Sequence, residues 1–116
     1  MAKVLFALPD RGFDPTEAAV AWRILNAAGM EIAFATETGR AGVCDTLTLM
    51  GPPIFAKILA AQPAGVRSFY QMEPTEPFQS PITHDDIVPD DYDALILPGG
   101  HAAETKPYLE LSLIHI

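Results

Sequence analysis

The chain is poor in cysteine, in positive charge and in long apolar runs, and each shortage narrows what it can be. A single cysteine, Cys44, excludes an internal disulfide. Lys and Arg number 7 against 15 Asp and Glu, which leaves a formal net charge of -8. Such a surface repels phosphate backbones, so nucleic acid is not expected as a partner. No apolar run is long enough to span a bilayer, so no membrane partner is expected. The opening Met1-Ala2-Lys3 leads straight into an apolar segment without the pattern of a signal peptide, and a cytoplasmic protein is expected. The first apolar run is not followed by G-x-G-x-x-G, and Asp10 and Glu17 there would repel a pyrophosphate. That argues against a flavin or dinucleotide binder, and no cofactor is expected. No metal is expected either. His84-Asp85-Asp86 are adjacent in a loop, where side chains rarely converge on one ion, and they read as a solvated turn. What is plentiful is apolar: 49% hydrophobic and 19% charged residues in 116 make one small globular domain.

Lys3 to Leu8 (KVLFAL) is continuously apolar and predicts a strand buried on both faces, as in a parallel sheet. Asp10 to Phe13 predicts a loop. DPTE then predicts a helix start, with Asp14 as N-cap, Pro15 as first helical residue and Glu17 as the third-position partner of a capping box. Ala18, Ala21, Trp22 and Leu25 recur at helical spacing, with Val20 and Ile24 widening the buried stripe. Gly29 supplies the left-handed residue that ends the helix. Glu31 to Thr36 (EIAFAT) predicts a second strand, which completes a β–α–β unit of about 30 residues. Ala94 to Leu97 predicts a third strand, and Asp90-Asp91-Tyr92-Asp93 a solvated lead-in to it. Between them, Pro53 to Ala61 predicts a helix and Val66 to Met72 a further turn or two. Seven prolines from Pro52 to Pro89 break this stretch into short pieces, read as an insertion near the sheet edge.

In an open parallel sheet, ligands bind beyond the carboxyl ends of the strands. Two segments fall there: Asp10 to Glu17, and the turn Pro98 to His101. A Gly-Gly turn lets the backbone approach a ligand and aim N–H groups at a developing oxyanion. Glu17 serves equally as a capping residue and as an active-site carboxylate. His101 either contacts substrate or packs in a polar loop. Cys44 follows a polar loop and precedes Asp45, whose carboxylate disfavours a thiolate, so it reads as a structural thiol.

Three features in order resemble the ThiJ/PfpI family, within the class I glutamine amidotransferase-like superfamily. KVLFAL leads through a short loop to a helix with Glu17 in its first turn. That helix closes at Ala28-Gly29 before EIAFATETG. The third strand runs into LILPGGHA. The wording DRGFDPTEAAVAWRIL and LPGGHA resembles the branch that includes heat-shock chaperones and glyoxalases. The resemblance spans residues 3–110. It implies an α/β fold, a flavodoxin-like three-layer sandwich with a mostly parallel sheet, in which 37–92 contain an insertion. It implies a cysteine nucleophile on a strand-to-helix elbow, Glu17 hydrogen-bonded to that thiol, and the Gly100 N–H in the oxyanion hole. Gly99 and His101 would line the substrate position. The substrate would be a small carbonyl compound or an amide, and the intact parent a homodimer. A non-catalytic redox-sensing or chaperone-like member of the same fold is the alternative.

The elbow strand normally follows the PGG turn and its helix, so the chain is expected to be the front part of one domain, residues 1–110, truncated after the third core strand and inactive. The closing LSLIHI has no cap, turn or polar face. The codons CTG-TCT-CTT-ATA-CAC-ATC spell it and resemble a transposase sequencing adapter, so 111–116 are expected to be a non-native tail.

Overall fold

A computed structural model describes residues 2–44 and 63–98. Four strands form one sheet: β1 (Lys3–Ala7), β3 (Glu31–Thr36), β5 (Ile82–Thr83) and β6 (Ala94–Ile96), in the order β5-β3-β1-β6. Every pairing is parallel. β1 is central, with Lys3↔Glu31 through Ala7↔Ala35 on one side and Val4↔Ala94 through Phe6↔Ile96 on the other. That position explains its unbroken apolar sequence: from Val4 to Ala7 both faces are buried. The architecture is α/β with a parallel sheet, the flavodoxin-like arrangement expected.

Helix α1 (Pro15–Ala27) connects β1 to β3. It begins where local chemistry dictates. Asp14 has extended backbone, and its carboxylate accepts from the N–H groups of Thr16 and Glu17 at 2.8 and 3.2 Å, with Pro15 at the first helical position. It ends in a Schellman motif around Gly29 (φ 81°): Met30 N–H donates to Leu25 C=O and Gly29 N–H to Asn26 C=O. Ala18, Ala19 and Trp22 are buried, and Ala21 and Leu25 pack against them. Ile24 departs from the expected stripe and is 58% exposed. The buried face turns toward residues 18, 19 and 22, which carries position 24 out to solvent.

Three further elements differ from the sequence reading. The expected loop at 10–13 contains a short strand, β2 (Arg11–Phe13), paired in parallel with β4 (Val43–Cys44). The turn or two at 66–72 is the end of a ten-residue helix, α2 (Pro63–Met72). The stretch read as packing near the sheet edge divides: α2 lies in the helical layer against α1, while α3 (Glu76–Gln79) leads into β5, which extends the sheet beside β3. The helix expected at Pro53 to Ala61 lies outside the described residues.

The core sits between the sheet and these helices. Val4, Phe6, Leu8 and Phe34 from the sheet meet Phe13, Ala18, Trp22, Phe69, Met72 and Phe78. Phe34 and Phe78 meet edge-to-face at 5.3 Å between centroids, and Phe69 and Phe78 at 6.2 Å. Such pairs contribute about 0.5–1.5 kcal/mol each beyond their burial. The two helices come close at one point. A Cβ on Gly65 would lie 2.9 Å from both Cβ and Cγ2 of Thr16 and closer still to its hydroxyl. That hydroxyl is buried with no hydrogen-bond partner among the described residues. Among the described residues, no helix is long and apolar enough to cross a membrane.

Candidate functional site

Strand order locates the crevice. From β1 the chain crosses through α1 to β3 on one side, whereas β6 adds on the other side. The order therefore reverses between β1 and β6, and the space beyond their carboxyl ends is where an open α/β sheet binds ligands. Leu8, Pro9 and Asp10 leave β1 at this edge, and Leu97 and Pro98 leave β6 beside them.

Glu17 stands in the first turn of α1, exposed, its position fixed by the Asp14 cap and by Pro15. The cap has a second consequence. The Asp14 carboxylate already accepts from the N–H groups of Thr16 and Glu17, so it fills the place a ligand anion takes at many helix starts. This is a physical reason, beyond the missing glycine motif, why a pyrophosphate is not expected at α1. Gly99, Gly100 and His101 lie outside the described residues, so Glu17 is the member of the expected set whose surroundings are on view. Pro98, two residues past β6, is buried.

The loop after β1 is held from three directions. Val43 N–H donates to Asp10 C=O at 2.9 Å, beside the Arg11↔Val43 pairing of β2 and β4. The Asp10 carboxylate accepts from the Thr38 N–H at 3.1 Å and the Thr38 hydroxyl at 3.2 Å. His84 supplies the third. It was expected in a solvated turn with Asp85 and Asp86, and those two are exposed, but His84 is buried, 6% exposed. Its Nε2 lies 3.0 Å from the Leu8 carbonyl. A carbonyl only accepts, so Nε2 carries the proton in this contact. The Leu8 N–H bonds Ala35 C=O, the last rung of the β1–β3 ladder, and the imidazole takes the next carbonyl. Sequence reasoning missed this residue because nothing in THDD separates a buried histidine from a solvated one.

Cys44 is buried in the core cluster on β4. Trp22 is core, as expected, at 8% exposure. The acidic lead-in to β6 is exposed at Asp90, Asp91 and Asp93, yet Asp93 is engaged: its carboxylate accepts from Lys3 N–H and its own N–H donates to Lys3 C=O, both at 2.8 Å. Among the described residues, no three His, Cys, Asp or Glu side chains gather as metal ligands would.

A family model described as ThiJ/PfpI family-like matches residues 8–116. No curated protein matches the chain. The match covers nearly the whole sequence, and the chain belongs to this family.

Proposed function

We propose that the chain is the N-terminal part of a cysteine-dependent enzyme of the glyoxalase III or deglycase type, acting on small carbonyl compounds such as 2-oxoaldehydes. A thiolate from a following elbow adds to the aldehyde carbon, and the carbonyl electron pair moves to oxygen. Before addition Glu17 accepts a hydrogen bond from the thiol and takes its proton, which leaves the thiolate; the N–H of Gly100 then meets the oxyanion, and Gly99 and His101 border the substrate.

One observation carries the reading. The capped start of α1, with Glu17 exposed in its first turn, follows the central strand whose neighbour β6 lies just before Gly99-Gly100 in sequence. The reversal of strand order between those two strands opens the crevice at that edge. Cys44, buried in the core cluster on β4, is assigned a structural role rather than that of the nucleophile.

The test is methylglyoxal consumption. The 116-residue chain is expected to show none, with or without alkylation of Cys44. A longer product of the same locus, carrying its native continuation, is expected to consume methylglyoxal in a thiol-dependent way. Glu17→Gln in that product lowers kcat/KM by about 10²–10⁴-fold. Thiol-dependent turnover by the 116-residue chain, or full activity after E17Q, overturns the reading.

A further inference from the structure

A second groove opens on the other side of β1, over the exit of β3. Asp10, Arg11, Thr38, Arg40, Ala41 and Val43 line a cavity of about 140 Å³. We propose that this groove is an anion subsite, binding the carboxylate or phosphate group of a small ligand between the guanidinium groups of Arg11 and Arg40.

Three observations carry it. The first is charge. The chain has a formal net charge of -8 and only four arginines, yet two of them line one groove. Both are exposed, and among the described residues no carboxylate forms an ion pair with either. An anion bound in the groove offsets both positive charges while accepting the forked N–H donors of the two side chains. The second is the nearby acid. Asp10 lines the same groove with its Oδ1 accepting from the N–H and hydroxyl of Thr38, so the groove sets two guanidinium charges against one carboxylate and stays net positive. The third is construction. The turn carrying Arg40 is held from within the sheet, because the hydroxyl of fully buried Thr36 donates to Arg40 C=O at 2.8 Å and accepts from Gly39 N–H at 3.0 Å. Arg11 is fixed opposite by its pairing with Val43. Both arginines therefore extend from anchored backbone, which lowers the ordering cost of binding.

The subsite stands apart from the thiol chemistry proposed above. Its probes need neither Glu17 nor Gly100, so either reading survives the failure of the other. The experiment follows the backbone amides of the ¹⁵N-labelled chain by NMR during titration with sodium phosphate, and separately with sodium malonate, at ionic strength held constant with sodium chloride. The expected result is saturable shifts centred on Arg11, Thr38, Arg40 and Val43 with at least one of the two anions. Affinity falls by about tenfold or more in Arg11→Gln/Arg40→Gln. Arg23→Gln/Arg67→Gln, which removes the same charge elsewhere, keeps it. Should the first double variant fail to fold, Arg40→Gln alone must still weaken binding. Shifts scattered over all arginines, no saturation with either anion, or unchanged affinity in the Arg11 and Arg40 variants overturns the proposal.

Discussion

The two faces of the sheet are filled by different means. On the face carrying Val4, Phe6, Leu8 and Phe34, rings and helices interlock, and Phe6, Phe13, Phe34 and Phe78 are almost fully buried. On the opposite face the central residues are smaller: Leu5, Ala7 and Ala35 are equally buried. There, Leu5 and Leu95 border a cavity of about 200 Å³ with Ile87, Pro89 and Tyr92 from the lead-in to β6. Burial alone therefore does not describe a core. Among the described residues, one face is buried ring against ring and the other by smaller side chains, so equal exposures are reached through different contacts.

Phe34→Ala gives the largest expected effect, because it removes the ring that meets both Phe6 and Phe78. A loss of about 3–5 kcal/mol is expected from the denaturant midpoint of the longest folded form that can be purified. A loss below about 1 kcal/mol, the scale of an ordinary substitution, would erase the contrast between the faces. Gly65→Ala comes next. Its new Cβ meets the backbone-proximal atoms of Thr16, which cannot swing aside, and a cost of about 1–3 kcal/mol is expected in the same measurement. Thr16→Ala in the same chain should recover part of it, and strict additivity would show that the helices separate freely at this point. The smallest effect belongs to the open face. Leu95→Phe adds volume beside the cavity, and stability is expected to stay within about 1 kcal/mol of the parent or to rise. A cost as large as that of Gly65→Ala would mean that this face is as tightly filled as the other.

What the sequence disclosed follows the range of the interactions involved. The Asp14 cap, Pro15 and the Gly29 ending are settled within a few residues, and they stand where the sequence put them. The strands at 3–7, 31–36 and 94–96 were legible from continuous apolarity. The β2–β4 pair was not, because a three-residue strand is defined by a partner some thirty positions away and carries no periodicity of its own. His84 depends on the Leu8 carbonyl, 76 residues distant in sequence, so its local polar neighbours misled. Ile24 shows the limit of periodicity, which finds a stripe but not its width. At the candidate site, the position of Glu17 was readable from its cap. The Arg11 and Arg40 groove was not, since it exists only once β2 and β4 have paired.

The reciprocal bonds between Lys3 and Asp93 join residues 90 apart in sequence. Lys3 Nζ adds a contact 5.2 Å from the centre of the Tyr92 ring. The central strand thus has one neighbour made early and one made late. During synthesis β1 can pair with β3 once residues 31–36 have emerged, but its other edge lacks β6 until residues 93–96 arrive. Closing so long a loop costs entropy before its contacts form, which slows that step. For that interval the central strand of the sheet is half covered, and such an open edge is a point at which a nascent chain is prone to associate with another.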